Sequence, residues 1–574
     1  MISALNTRFA RRSRRIAAGL AREDGNVTTL ALIMFGLMVS VGGLAVDLMR
    51  YEEIRTSLQQ SLDRCTLAAA SLTQELDPET VCRDYVAKAG HTDDLTSVTV
   101  MEGLNFREVT ADATAIEKPF FAHMVGIDQF NVPAGSIAEQ RISDIEIAMV
   151  LDISGSMQQT PSRITNLKIA AKEFVQSVLA TDAEQRTSIM LVPYNGQVNL
   201  GALLRAKYNV TLSNGTAGVD CVDLPASVYS SIPMSRVTPL PNTAHADTYS
   251  GTNQTTAFVA LNDTNYATPV AGNRWCPPST TNVVRLPNNS ITTLQSQIEG
   301  LAAVGATSIN AGMKWGLALL DPSARPLYNE FISAGQIPSK FSGRPFDYTV
   351  ANDPNPTSMK VIVLMTDGEH FPEDRVNDTY KSGNAGIWKA TSDSNYSRFE
   401  SSLVNSSNAT NLCNSRPFWV PHLGAWQSRP WNGAAPSNSA CYTNTITTTT
   451  TGTTQQTWPQ IWTNMRLSYV AWQFYARPQS TSAARTTMYN TWMNNFRIQT
   501  ATPAMDTQLA GMCNKARDNN VIVFGIAFEA PTNGQAVISA CATDSAHYYA
   551  TTGTELRTAF RSIASQISQL RLTQ

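Results

Sequence analysis

The sequence predicts an α/β fold with a doubly wound, mostly parallel sheet and long loop insertions, preceded by a transmembrane helix and a stalk. Three observations predict it. An uncharged run of 20 residues lies near the first residue, continuous apolar strands alternate with amphipathic helices after residue 144, and two long polar stretches interrupt that alternation. A length of 574 residues exceeds that of an ordinary single domain, so more than one folded unit is expected.

The N-terminal segment has the charge boundary of a membrane span. Six arginines precede residue 25, and the run VTTLALIMFGLMVSVGGLAV over 27–46 carries no charge. As a helix this run is roughly 30 Å long, the hydrocarbon thickness of a bilayer. It is longer than the core of a cleaved signal and no A-x-A-like site follows it, which favours a permanent anchor.

The same arginines predict the orientation of the anchor. Basic residues stay on the cytoplasmic side of a span, so 1–26 is expected to be a cytoplasmic basic segment. The rest of the chain, from Asp47, then lies outside the cytoplasm. For a single-pass protein of a bacterial inner membrane, that places the bulk of the chain in the periplasm or at the cell surface. A net charge of −2 gives no general attraction to nucleic acid.

Residues 47–142 are expected to form a helical stalk followed by a small strand-rich connector. Apolar residues recur at steps of three and four from Leu48 to Leu72, as they do on one face of a helix. From about residue 93 the pattern changes to a weak alternation, as in SVTVMEG and REVTADATAIE. Such alternation indicates short strands.

The segment 144–574 carries the pattern of a sheet covered on both faces. Continuous apolar runs predict buried strands at 145–151, 188–194, 359–365 and 520–528, and runs of this kind are typical of parallel sheets. An amphipathic helix is predicted in RITNLKIAAKEFVQSVL, another after Thr307, and a last one at the end of the chain. Alternating strands and helices favour a doubly wound α/β domain.

Two insertions, at about 200–290 and about 370–500, interrupt this domain. Both are rich in Asn, Ser, Thr, Pro and Trp, and loops of such length tend to be functional or disordered. We expect partly ordered loops. Their tryptophans are either anchors for a binding partner or the small core that a long loop needs: Trp275, Trp419, Trp426, Trp431, Trp458, Trp462 and Trp472.

The eight cysteines contain no C-x-x-C pair, so the spacing of zinc ribbons and of thioredoxin-like sites is missing. An even number outside the cytoplasm suggests disulfides. Pairing between neighbours in sequence is favoured over buried free thiols. The predicted pairs are Cys65 with Cys82, Cys221 with Cys276, Cys413 with Cys441, and Cys513 with Cys541.

The candidate site begins at the end of the first strand of the α/β domain, with Asp152, Ser154 and Ser156. Ligands of open α/β sheets bind outside the carboxyl ends of the strands, and Mg²⁺ prefers oxygen ligands. Two later segments add oxygen donors: Thr307 in a loop that opens a helix, and Asp367 at the end of the strand VIVLM. Alone, Asp152 is typical of a loop turn and the two serines of a helix cap, and both roles are compatible with metal binding.

Two families share these patterns. The N-terminal 75 residues resemble TadG-like proteins of bacterial Flp (tight-adherence) pilus-assembly systems, through the elements Gly25-Asn26, Val46-Asp47 with Arg50, and Leu58-Gln59 with Asp63 and Ala68 to Ala70. The order D-x-S-x-S, G-x-T and T-D-G across about 144–570 resembles von Willebrand factor type A domains, whose fold is Rossmann-like.

The second resemblance implies a metal-ion-dependent adhesion site. Carried over by position, its ligands are Asp152, Ser154, Ser156, Thr307 and Asp367. The expected cofactor is a divalent metal ion, Mg²⁺ first, with Mn²⁺ or Ca²⁺ as alternatives. An acidic group of a protein partner, another pilus or envelope component, is expected to complete the metal's coordination shell.

The sequence favours a binding protein over an enzyme. The six histidines are scattered, and H-E-x-x-H, G-x-S-x-G and P-loop motifs are missing. A metal-dependent hydrolase needs a nearby base, for which only Glu369 and His370 are placed. A structural pilus subunit is the other alternative. Prepilins cut after a Gly usually carry Glu five residues on, and here that residue is Leu30.

Overall fold

The structure is a computed structural model that describes residues 26–71, 74, 76–102, 106–141, 144–159, 162–180, 182, 185–213, 215–249, 268–349, 358–404, 416–434 and 451–573. The chain divides into two compact units, Met1–Ile142 and Ser143–Gln574. The first contains helices α1 (Asn26–Ala69) and α2 (Pro78–Lys88) and strands β1 (Leu95–Glu102), β2 (Phe106–Glu117) and β3 (Phe130–Arg141).

In the first unit the C-terminal half of α1 packs on an antiparallel sheet of order β1-β2-β3. Leu58 and Leu62 of α1 and Val109 and Val132 of the sheet are fully buried in one apolar cluster. The N-terminal half of α1 is exposed and apolar, and by length and composition it is able to cross a membrane. Helix α1 is one continuous element of 44 residues.

The second unit begins with the elements that form most of the central sheet. They are β4 (Asp144–Asp152), α3 (Ser156–Gln159), α4 (Ser162–Ala180), β5 (Thr187–Tyr194), α5 (Gly201–Arg205), β6 (Val210–Thr211), β7 (Leu240–Pro241), β8 (Arg285–Asn288), α6 (Ile291–Glu299), α7 (Ile309–Leu320), α8 (Arg325–Ser333) and β9 (Ser358–Thr366).

The rest of the unit contains the second insertion and the elements that complete the sheet. They are β10 (Glu373–Val376), β11 (Asn384–Ala390), β12 (Tyr396–Phe399), β13 (Phe418–Val420), β14 (Ala425–Gln427), β15 (Thr453–Thr457), α9 (Trp458–Asn464), α10 (Leu467–Val470), α11 (Ser482–Phe496), β16 (Arg497–Thr500), α12 (Thr502–Asp518), β17 (Ile522–Phe528), α13 (Thr532–Cys541), β18 (Tyr548–Thr551) and α14 (Glu555–Thr573).

The central sheet has the order β18-β17-β9-β4-β5-β8. All neighbours in it are parallel except β5 and β8. Alternate residues of β4 point to opposite faces: Ala148 and Val150 join a core with α7, α12 and α13, whereas Ile147 and Met149 join a core with α4, α6 and α14. The four apolar runs therefore form strands within two residues of the predicted bounds.

A mixed α/β architecture is confirmed, but the prediction of a mostly parallel arrangement holds only for the central sheet. Over the described residues most strand pairings are antiparallel, because the connector sheet, the pair β10-β16 and the sheet β14-β13-β12-β11-β15 are antiparallel. The weak alternation after residue 93 indicated strands in the connector but not how they pair, and the pair β10-β16 joins residues 373–376 to residues 497–500, which no local pattern reveals.

The second insertion, expected to be a partly ordered loop, contains regular secondary structure in its described residues. It folds into a five-stranded sheet with helices α9–α11 and has an aromatic core of its own. Trp388 and Trp462 are almost fully buried, and Trp458 stacks on Trp462 with ring centroids 5.1 Å apart. The large aromatic side chains supply the apolar area that the polar strands lack, so most of these tryptophans serve the core.

Three of the predicted disulfides are present: Cys65–Cys82, Cys221–Cys276 and Cys513–Cys541. The first joins α1 to α2, and the second closes the first insertion. The third joins α12 to α13 across β17. The predicted pair of Cys413 and Cys441 lies outside the described residues, as do residues 1–25 of the segment predicted to be cytoplasmic.

Candidate metal centre

The candidate residues lie at one edge of the central sheet. Asp152 is the last residue of β4, and Asp367 directly follows β9. The two strands are adjacent and parallel, so their carboxyl ends meet at the same edge. Thr307 precedes α7, whose buried face packs under these strands.

A chain of hydrogen bonds joins four of the five predicted residues. The backbone N–H of Ser154 donates to Asp152 Oδ1 at 2.8 Å. The Ser154 and Ser156 hydroxyls are 2.9 Å apart, and the Ser156 hydroxyl donates to Asp367 Oδ1 at 2.6 Å. The D-x-S-x-S loop and the T-D-G loop, 211 residues apart in sequence, thus share one polar cluster.

Thr307 lies at the same cluster. A Cβ placed on Gly368 would be 3.8 Å from Ser156 Oγ and 4.0 Å from Thr307 Oγ1, so both hydroxyls face the space that Gly368 leaves free. The backbone N–H of Phe371 donates to the Thr307 carbonyl at 2.9 Å. All three predicted segments therefore converge, although the role of their side chains as metal ligands stays a prediction.

Gly155 allows the first two loops to approach closely. Its N–H donates to the Gly305 carbonyl at 2.8 Å, and a Cβ there would lie 3.1 Å from the same oxygen. A side chain at this position would push the D-x-S-x-S loop away from the G-x-T loop. Glycine is thus needed for contact between the backbones rather than for an unusual dihedral angle.

The cluster holds two buried carboxyl groups that repel each other. Asp152 is fully buried, and Asp367 is 2% exposed. Burial raises the pKa of Asp152 to about 7, with a further contribution from the neighbouring Asp367. Burial also raises the pKa of Asp367, although Ser156 and Arg163 oppose the rise. Such a pair is stabilised when positive charge lies close to it.

This donor set suits a hard divalent cation. Carboxylate and hydroxyl oxygens are the ligands that Mg²⁺, Mn²⁺ and Ca²⁺ take in proteins, and Arg163 compensates Asp367 but not Asp152, so a further cation would stabilise the ionised pair. Among the described residues there is no cluster of three or more His, Cys, Asp or Glu side chains that could hold a metal ion. A metal at this edge would depend on hydroxyl ligands as much as on carboxylates.

Arg163 and Thr366 belong to the site but were not predicted. Arg163 Nη1 donates to Asp367 Oδ2 at 2.9 Å, and its Nε donates to Glu529 Oε2 at 2.8 Å. The Thr366 hydroxyl donates to Asp152 Oδ2 at 2.7 Å. The Thr of T-D-G was visible in the sequence, whereas the position of Arg163 at the start of α4 carried no signal.

His370 stabilises the start of a helix and is not placed as a free base. Its Nε2 lies 3.1 Å from the backbone N–H of Asn310, which can only donate. The proton is therefore assigned to Nδ1, which lies 2.7 Å from Asp506 Oδ1. Both ring nitrogens are thus engaged at the N-terminus of α7, and Glu369 is exposed.

A cavity of about 330 Å³ opens beside the G-x-T loop. Gly305 and Ala306 form part of its wall, and Tyr249, Trp275 and Phe371 supply aromatic surface. Tyr249 and Phe371 are 44% and 43% exposed, whereas Trp275 is buried. Large exposed aromatic side chains beside a polar cluster are common at binding sites.

Comparison with known proteins gives one sequence match. Residues 25–72 match the Tad family model, described as Flp pilus-assembly TadE/G-like. This match covers the apolar part of α1, which is long enough to span a membrane, and its continuation, and it supports a pilus-related, membrane-anchored envelope protein. A search of curated protein sequences gives no match.

Solved structures give distant similarities, among them similarities to pilus proteins. The vWF domain of the type V pili tip protein Mfa5 from Porphyromonas gingivalis is 12% identical, with 74% of this chain and 96% of that chain covered and a TM-score of 0.28. The adhesive tip pilin GBS104 from Group B Streptococcus agalactiae is 11% identical, with 74% and 99% covered and a TM-score of 0.27. Scores this low do not identify the fold, and the site must be judged on its own geometry.

Proposed function

We propose that this chain is a membrane-anchored envelope protein of a Flp-type pilus system, and that it binds a protein partner through a divalent metal ion. The proposed ligands are Asp152, Ser154, Ser156, Thr307 and Asp367. The observation that carries the proposal is the convergence of three separate loops on one cluster of oxygen donors. The family match at residues 25–72 supports the pilus context.

The chain's own residues hold the carboxylates in place. The Ser154 N–H and the Thr366 hydroxyl each bind one oxygen of Asp152. Arg163 holds Oδ2 of Asp367, which leaves Oδ1 facing Ser156. A metal ion bound here supplies positive charge that an acidic group of a partner can coordinate. The cavity beside Gly305 then offers aromatic surface to the residues next to that acidic group.

We propose a binding role rather than catalysis. A hydrolase would need a base that can take a proton from water. His370 already accepts from Asn310 and faces Asp506, so its lone pair is used by the fold. If the purified chain hydrolysed an ester or phosphate substrate and His370→Ala abolished that activity, the proposal would have to be replaced.

Metal binding is tested on the full chain in nanodiscs by calorimetry with Mg²⁺, Mn²⁺ and Ca²⁺. Asp152→Ala and Asp367→Ala are expected to lower the affinity by at least about 100-fold, since even indirect partners of a ligand contribute 10–100-fold. Asp518→Ala is the control, because Asp518 is an exposed carboxylate on α12 of the same unit. Unchanged metal affinity in both site variants would show that the ligands are assigned wrongly.

Partner binding is tested by capture from envelope extract, with the full chain in nanodiscs as bait. A partner that binds through the metal is expected to be lost with a chelator and regained when Mg²⁺ is restored. It should also be lost with Thr307→Val, which removes only a hydroxyl and keeps the side-chain shape. If Asp367→Ala and the parent chain retained the partner equally, partner binding would not depend on the metal.

A further inference from the structure

The connection between β2 and β3 carries a group of exposed apolar side chains. In its sequence KPFFAHMVGIDQ, Phe120, Met124 and Val125 are 68%, 75% and 60% exposed, and Ile127 is 39% exposed. We call these four residues the apolar tip. Side chains of this size are normally buried when they occur together, so the group indicates a contact with something outside the protein.

The apolar tip is fixed to helix α1 at the outer end of its membrane-spanning part. The Asp47 carboxylate is 2% exposed and accepts three backbone N–H groups, from Phe120 and Phe121 at 2.8 Å and from Ala122 at 2.7 Å. A Cβ on Gly43 would overlap the Phe121 ring. The connection therefore packs directly on the helix where the uncharged run ends.

This attachment sets the height of the tip relative to a bilayer. Gly43 lies inside the uncharged run 27–46, three residues before its end, which is about 4.5 Å along a helix. Asp47 is the first residue beyond the run. A segment that contacts both residues lies where hydrocarbon meets lipid headgroups.

Charged and polar groups lie close to the tip, and within the connection itself His123 Nδ1 lies 2.9 Å from Asp128 Oδ1, with both side chains exposed. Arg50, one turn further out on α1, lies over the Phe120 ring at 4.1 Å and pairs with Glu117. Lys118 is exposed next to the tip. Basic side chains with apolar stems are favoured at the level of the headgroups.

We propose that the apolar tip inserts into the outer leaflet of the membrane that α1 spans. The tip and the helix then attach the first unit to the membrane at two points. Two points of attachment restrict how far α1 can rotate or tilt in the bilayer. Insertion moves apolar side chains out of water into the bilayer, and each side chain inserted makes the free energy of membrane binding more favourable. A protein partner fits the position less well, because it would have to reach the same depth in the lipid.

Insertion is tested with an environment-sensitive NBD label on cysteines introduced into the full chain in phosphatidylcholine–phosphatidylglycerol nanodiscs. Met124→Cys and Val125→Cys are expected to give blue-shifted emission that is largely lost when doxyl groups are placed near the headgroups. Both positions are exposed, so the label leaves the core intact. The unsubstituted chain measures labelling of the native cysteines.

Leu67→Cys is the matched control. Leu67 is 69% exposed on the same helix, but it is 21 residues beyond Val46, roughly 30 Å along α1. Its label is expected to emit as in water and to be unaffected by doxyl lipids. Equal quenching at 67 and 124, or no quenching at 124 and 125, would overturn the proposal. A blue shift of the label at position 124 that appears only when another protein is added, and not with lipid alone, would also overturn the proposal.

Discussion

At the candidate metal centre, the protonation of Asp152 depends most on its surroundings. Asp152 is fully buried, and its pKa is raised from 3.8 to about 7, by burial first and then by Asp367. The folded chain without metal therefore binds a proton at this group more tightly than the unfolded chain does. The stability that this protonation contributes is complete below about pH 4 and is lost as the pH rises through 7.

A pH dependence of metal stabilisation follows. A metal ion replaces the proton, so the rise in Tm on adding Mg²⁺ is expected to be larger at pH 8 than at pH 5. In Asp152→Asn, which has no charge to compensate, the metal-free chain should melt higher than the metal-free parent at pH 8 and should gain little from Mg²⁺. Thermal unfolding with and without chelator measures both effects. A rise in the parent's Tm that is equal at the two pH values would contradict the role given to Asp152.

Gly534, in the first turn of α13, provides a second prediction at the scale of one residue. A Cβ there would overlap the backbone carbonyl of Gly368, which cannot move without shifting the T-D-G loop. Gly534→Ala is expected to lower both stability and metal affinity, measured by denaturant unfolding and calorimetry. Gly511→Ala on α12 is the control: apart from its chain neighbours and the backbone of its own helix, no atom lies within 4 Å of its added Cβ, so it should be neutral or stabilising by about 0.5–1 kcal/mol.

The sequence predicted which segments come together where a motif concentrates one kind of chemistry in a few positions, and the role of these residues as metal ligands stays a prediction. D-x-S-x-S, G-x-T and T-D-G each present oxygen donors at the end of an apolar strand or the start of a helix, and strand ends meet at one edge. Arg163 and Glu529 could not be predicted. Arg163 donates to both Asp367 and Glu529, which depends on how the start of α4 packs beside the end of β17, and no local pattern encodes that packing.

At the scale of elements, continuous apolar runs predicted the central strands because burial on both faces demands them. The strands of the second insertion were not predicted because they are only three to seven residues long and most of them mix polar with apolar residues. Its core comes from aromatic residues far apart in sequence, as when Tyr380 packs against Trp458 and Phe496 at 5.1 and 4.9 Å between ring centroids. Contacts between residues so far apart in sequence leave no pattern within a short stretch of the sequence.

The two insertions are joined by a buried ion pair. Asp223 lies in the first and Lys381 in the second, their side chains are each 1% exposed, and the Thr243 hydroxyl donates to the same carboxylate. Lys381→Met is expected to destabilise the chain by about 3–5 kcal/mol, because it leaves Asp223 charged and buried. Denaturant unfolding measures this, and the double variant Asp223→Asn, Lys381→Met should recover part of the loss.

The exposed pair of Lys172 and Glu299 provides the comparison. Their side chains are 32% and 60% exposed, and the two charged atoms are 2.7 Å apart. Lys172→Met is expected to cost less than about 1 kcal/mol. If Lys381→Met and Lys172→Met lower the free energy of unfolding by the same amount, the buried Asp223–Lys381 pair does not contribute the stability inferred for it.

At the scale of the whole molecule, each unit has its own core. The apolar cluster around Leu58 and Val109 belongs to residues before 142, and the clusters around the central sheet belong to residues after 143. The family match falls within the first unit and the candidate metal centre within the second. Sequence similarity therefore informs one unit, while the chemistry of the other is inferred from its geometry.

Separate cores predict that the units respond separately to different changes. Saturating Mg²⁺ at 100 times its Kd should add about 2.7 kcal/mol to the unit that binds it, and so raise only the transition of the second unit. Cys65→Ser with Cys82→Ser removes a disulfide that closes 17 residues, which costs about 3 kcal/mol. That variant should lower only the transition of the first unit. Calorimetry of the full chain in nanodiscs resolves the two transitions, and a metal-induced shift of both would mean that they unfold as one cooperative block.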